Sequence, residues 1–159
     1  PASVDKAVES LDGLIAESET GARRFLSRFK HEKKPHEIPV ALLNEHTKEE
    51  DLDFILEPIK KGERWGLISD AGLPCVADPG AKLVALARHR GINIQAFSGP
   101  SSILLSLMLS GLSGQRFSFL GYLEKDPAKC IQDIKRLEKR AKEDQATQIF
   151  IETPYRNTS

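Results

Sequence analysis

Nothing in this chain of 159 residues approaches the apolar run of about 20 residues that spans a bilayer. Its first residues have neither the basic nor the apolar region of a secretory leader. Cysteine is scarce: Cys75 and Cys130 are the two present, without metal or redox spacing, and they read as reduced thiols of a cytosolic protein. An excess of one charge is missing as well. The 23 basic and 23 acidic side chains give a formal net charge of zero, which excludes a global attraction to nucleic acid or to an anionic membrane and leaves only local patches. No Gly-x-x-x-x-Gly-Lys-[Ser/Thr] and no Gly-x-Gly-x-x-Gly occurs, which argues against those nucleotide sites, and no serine sits in a Gly-x-Ser-x-Gly elbow. His31, His36, His46 and His89 are scattered without ligand spacing, so no metal site is expected.

What remains is an ordinary globular composition, 40% hydrophobic and 29% charged, arranged as alternating strand and helix signals. A short helix with Ser3 as its N-cap leads to an apolar strand over 13–16. A helix over 20–29 turns Phe25, Leu26 and Phe29 inward, and a strand follows over 38–43. Thr47 and Glu50 have capping-box spacing for a helix that Pro58 should kink or end. A buried strand over 65–69, a helix over 81–90 stopped by Gly91, a strand over 92–97 and a buried apolar helix over 101–109 complete the pattern. Such alternation implies a parallel α/β sheet. Composition breaks at GLSGQ, 111–115, so a first domain is expected over 1–113 and the beginning of a second over 114–159. The second contains strands over 117–123 and 148–152 and a charged helix over 128–142 with Ile131, Ile134 and Leu137 inward.

The stretch LISDAGLPCVADPG, 67–80, and the stretch SGPSSILLSLMLSG from Ser98 each read as a strand running through small residues into a helix. Loops of this kind at the carboxyl ends of adjacent strands form the ligand crevice of an open α/β sheet. Asp70 offers a hydrogen-bond acceptor or a turn cap, Ala71 and Gly72 let backbone approach a ligand, and Pro74 and Pro79 stiffen the loop. Ser101 and Ser102 bring hydroxyls and unpaired amides to a helix start, suited to a carboxylate or a ribose, or to capping alone. His46, in the loop after a strand, is the best placed of the histidines. Two basic clusters stand out: Arg23, Arg24 and Arg28, and a helix carrying Lys129, Lys135, Arg136, Lys139, Arg140 and Lys142. Both read first as solvated faces and second as RNA contacts.

LISDAGLPCVADPG, GPSS, SGLSGQRFSFLGYL and IETPYRN, in that order, resemble the tetrapyrrole methylase family of S-adenosylmethionine-dependent methyltransferases. Within it they resemble the branch that methylates a cytidine ribose 2′-oxygen of small-subunit ribosomal RNA. The resemblance implies a three-layer α/β domain followed by a second α/β domain, with the cofactor between them, in a cytoplasmic homodimer acting on ribosomal RNA or the small ribosomal subunit. Neither a membrane nor a metal is implied. By motif, Asp70, Ala71, Gly72 and Val76 resemble the cofactor loop, and Ser101 and Ser102 the hydroxyl pair at its methionine end. Glu17 and Arg23 resemble acidic and basic positions of an early motif, although Glu17-Ser18-Glu19-Thr20 departs from the usual Glu-Asp-Thr. Asn44-Glu45-His46 resembles a Glu-His pair, which makes Glu17 and His46 the candidate bases and Arg23 or Arg156 a candidate phosphate holder. Glu152, Pro154, Tyr155 and Arg156 resemble a substrate-side strand end. The family's first strand should precede Pro1 and most of its second domain should follow Ser159, so the chain reads as a fragment. Methylation of a tetrapyrrole or another small molecule, and a non-catalytic binding fragment, are the competing readings.

Overall fold

Gly13–Ala16 (β1) is buried at every position, the pattern of a strand covered on both faces. The computed structural model describes residues 2–156. In it β1 lies between two parallel neighbours, Val40–Leu42 (β2) and Trp65–Leu67 (β3), in the order β2-β1-β3. Alternation along β1 divides the core in two. Leu14 and Ala16 pack with Val8 of α1 (Ala2–Glu9), with Ala22 and Leu26 of α2 (Glu19–Leu26), and with Ile38. Ile15 packs on the opposite face with Leu52 and Leu56 of α3 (Leu52–Lys60) and with Leu83 and Ala87 of α4 (Ala81–His89). Helices therefore cover both faces of a parallel sheet, the three-layer α/β arrangement that the sequence predicts.

Several boundaries differ from expectation for local reasons. Ser3 lies inside α1 rather than capping it. Thr47 does not cap a helix; its hydroxyl accepts the Asn44 N–H at 3.0 Å, and a 3-10 turn, Glu49–Asp51, leads into α3. Helix α3 runs through Pro58 to Lys60 and stops before Gly62, whose φ of 99° suits only glycine. The expected strand over 92–97 joins no ladder among the described residues. A short apolar run becomes a strand only where a neighbour supplies hydrogen-bond partners, and here the sheet ends at β3.

The chain divides into two compact units, Pro1–Pro100 and Ser101–Ser159. The division falls ahead of the apolar helix rather than after it. The second unit contains α5 (Ser102–Ser110) and a parallel β-α-β pair, β4 (Phe117–Tyr122), α6 (Pro127–Asp144) and β5 (Thr147–Ile151). Helix α6 starts where the Asp126 carboxylate accepts the Lys129 N–H at 2.9 Å, with Pro127 just inside. Of its expected inward residues Leu137 is buried, whereas Ile131 and Ile134 are exposed. Helix α5 is likewise not enclosed: Leu107 is buried, but Leu104, Leu105, Met108 and Leu109 face outward. No helix among the described residues is long and apolar enough to cross a membrane.

Candidate active site

From β1 the chain moves to β2 on one side and then crosses to β3 on the other, so the strand order reverses between β1 and β3. At such a reversal two loops diverge from adjacent carboxyl ends and leave a crevice. Glu17 and Ser18 leave the end of β1, and Ser69, Asp70, Ala71 and Gly72 follow β3. The structure joins these two loops. The Asp70 N–H donates to Glu17 Oε1 at 3.0 Å, and the Ser18 hydroxyl faces both Asp70 carboxylate oxygens, at 3.2 and 3.4 Å. Ser18 is also the N-cap of α2, accepting the Gly21 N–H at 3.0 Å. A Cβ on Gly21 would lie 2.2 Å from Asp70 Oδ1, so the carboxylate occupies the space a side chain would fill.

The rest of the loop is braced from within. Ser69 Oγ lies 2.7 Å from Asp78 Oδ2 and 2.8 Å from the Ala71 carbonyl, and accepts the Ala71 N–H at 3.2 Å. Cys75 and Ala77 hold left-handed backbone at φ 69° and 57°, conformations that cost a non-glycine residue about 1 kcal/mol or more. Burial, and secondarily the Asp78 carboxylate, push the Cys75 thiol above its ordinary range, so it is no activated nucleophile. Gly72 has a φ of 81° and open space beside it, and Val76 is exposed, so a ligand can approach both.

Among the other expected site residues, Arg23 has structural partners. Its guanidinium donates to the Pro35 carbonyl at 2.5 Å, to the Ile38 carbonyl at 2.6 Å and to Glu19 at 3.0 Å. Arg23→Met is expected to cost about 2–3 kcal/mol, because two carbonyls lose a charged donor. Urea unfolding checks this, and a cost below about 0.5 kcal/mol would contradict it. His46 stands in the loop after β2, highly exposed, 3.6 Å from the equally exposed Glu45. Its position follows from an Asx turn in which Asn44 Oδ1 accepts the His46 N–H.

In the second unit Ser101 is the N-cap residue of α5, but its hydroxyl makes no cap bond, and Ser102 begins the helix. Glu152 Oε1 accepts the Thr153 N–H at 2.9 Å, Tyr155 is exposed, and Arg156 ends the short turn Pro154–Arg156. Asn157, the last residue of the IETPYRN motif, lies outside the described residues. No group of three or more His, Cys, Asp or Glu among the described residues is placed to hold a metal.

Sequence reading did not single out Ser18, Gly21, Ser69 or Asp78. The usable signal for Ser18 and Gly21 was a capping serine three residues before a glycine at a strand-to-helix junction. The first unit is a parallel α/β unit in which the loops after β1 and β3 meet at the strand-order reversal, the place where open α/β sheets bind their ligands.

The comparisons narrow that description. No family model matches the chain. Curated relatives named "Ribosomal RNA small subunit methyltransferase I" do match. The protein of Pseudomonas aeruginosa is 37% identical over 143 residues, 90% of this chain and 48% of the relative. That of Haemophilus influenzae is 34% identical over 146 residues, 92% of this chain and 48% of the relative. That of Bacillus subtilis is 32% identical over 149 residues, 94% and 48%. The chain is similar to these methyltransferases over nine tenths of its own length and spans about half the length of the relatives it matches.

Proposed function

We propose that the crevice between β1 and β3 holds part of S-adenosylmethionine, and that the complete protein moves its methyl group to a ribose 2′-oxygen of small-subunit ribosomal RNA. The observation that carries this is the Glu17–Ser18–Asp70 network at the strand-order reversal. The residues present suit the cofactor. Asp70 has lone pairs beyond those facing Ser18, able to accept ribose hydroxyls, and the backbone at Gly72 is open to close approach. The bound cofactor supplies an activated methyl on sulfonium sulfur.

The chain's own residues then align the acceptor and take its proton. When bound, the cofactor would supply the methyl group, and the acceptor's hydroxyl proton would pass to a carboxylate or an imidazole of this chain. Glu17 and His46, at the carboxyl ends of β1 and β2, are the candidates. Glu152, Tyr155 and Arg156 are the proposed acceptor-side contacts. The same reading includes a homodimer in the cytoplasm, which equilibrium sedimentation tests.

Calorimetric titration of the chain with S-adenosylmethionine, beside the Asp70→Ala variant, tests the cofactor site. Binding that weakens at least tenfold in the variant is expected. Binding unaffected by the substitution, or none at all, overturns the assignment. Transfer of labelled methyl to small ribosomal subunits, in competition with a carboxylated tetrapyrrole, tests the acceptor; label on the tetrapyrrole alone would reject RNA.

A further inference from the structure

Sequence alone cannot rank the two basic clusters, and the structure separates them. Along α6 four of the six cations are paired locally: Arg136 with Asp133 at 2.7 Å, Lys139 with Glu143 at 3.6 Å, Arg140 with Asp144 at 3.7 Å and Lys142 with Glu138 at 2.7 Å. The other cluster is broader than its three arginines. Between Arg23 and Lys34 stand six cations, Arg23, Arg24, Arg28, Lys30, Lys33 and Lys34, against one acid, Glu32. Arg23 pairs with Glu19. The remaining five are exposed, and among the described residues none of them forms an ion pair. In a chain of zero net charge this is a concentrated positive field.

The segment that carries these cations is fastened by other side chains, so its shape does not depend on them. Arg23 holds the Pro35 and Ile38 carbonyls. The His31 ring spans the Leu11 carbonyl and the Lys33 N–H, each at 3.0 Å. Glu37, the nearest following acid, has a carboxylate oxygen on the Lys34 backbone N–H at 2.7 Å. Arg24 is on α2 and Arg28 follows its C-cap Ser27, with no acid between them in the chain. Phe29 is partly buried against Phe25, with ring centroids 4.8 Å apart, and packs on the core. The patch thus presents no exposed aromatic ring for stacking on a base or entering a bilayer.

We infer that Arg24, Arg28, Lys30, Lys33 and Lys34 form a docking surface for the sugar–phosphate backbone of a folded RNA, read by charge and shape rather than by base. The inference rests on RNA being the substrate. Helix α2 joins this surface to the Ser18–Asp70 crevice. Its eight residues span about 12 Å, so RNA would be held one helix length from the reacting end.

The test uses a fluorescent stem-loop RNA titrated with the chain over a salt series, beside Arg24→Gln/Arg28→Gln/Lys33→Gln/Lys34→Gln and, as a control, Lys139→Gln/Arg140→Gln/Lys142→Gln on α6. Each phosphate contact contributes about 0.7–0.9 to the slope of log affinity against log salt. The first variant is expected to lose at least tenfold in affinity and about two to three units of slope, with S-adenosylmethionine binding and thermal midpoint unchanged. The α6 control should match the parent. If the parent binds RNA and the first variant binds it equally with the same slope, the surface is refuted while RNA remains the substrate. If the parent binds no RNA but binds phosphatidylglycerol vesicles, both readings fall.

Discussion

Gly21→Ala will weaken S-adenosylmethionine binding at least tenfold while leaving the protein folded. The new methyl group would stand 2.2 Å from Asp70 Oδ1 and 2.8 Å from the Ser18 hydroxyl, closer than atoms approach. Asp70 is exposed and can swing away, so the clash is relieved by moving the carboxylate rather than by unfolding α2. Alanine is also the better helix former by about 1 kcal/mol. Stability should therefore change little in the parent and rise by up to about 1 kcal/mol when Gly21→Ala is made in an Asp70→Ala background. The difference between backgrounds measures the coupling, which for contacting residues is about 0.5–3 kcal/mol. Unchanged cofactor affinity, or identical stability changes in both backgrounds, would show that Gly21 does not keep space for the carboxylate.

Leu14→Ala is expected to cost about 3–5 kcal/mol, a large share of the roughly 5–15 kcal/mol that holds a domain together. Leu14 is fully buried in the central strand, its neighbours belong to α1 and α2, and both helices are tied to the sheet through that contact. The surrounding side chains are held by the sheet and by both helices, so most of the cavity should persist. Urea unfolding should show a lower midpoint with an unchanged slope. Leu104→Ala, on the outward side of α5, should change stability by less than about 0.5 kcal/mol. Similar costs at the two positions would mean that the first core is not organised around β1.

The parts of the fold written in local chemistry were readable. β1 is a four-residue apolar run between turn residues, and its limits match to the residue. The proline- and glycine-rich stretch after β3 is a loop, as composition requires, but the left-handed backbone at Cys75 and Ala77 has no signature in those residue types. What depends on neighbours was not readable. Residues 92–97 have strand composition and no strand beside them, and α5 has the composition of a buried helix with one buried residue. At the candidate site Asp70 was found from its loop, whereas Ser18 and Gly21 matter because a distant segment, 52 residues along the chain, folds against them. Arg23 was noticed for its charge, and its work on two backbone carbonyls could be seen only in three dimensions.

Trp65 is the single tryptophan of the chain. Its indole covers Gly13, where a Cβ would come within 2.4 Å of the ring, and its N–H donates to Glu63 at 2.9 Å. Both tyrosines, Tyr122 and Tyr155, belong to the other unit. The two halves therefore carry different chromophores. Tryptophan emission reports on the β2-β1-β3 sheet, tyrosine absorbance reports on the β4–β5 unit, and unfolding of each can be followed optically without a label.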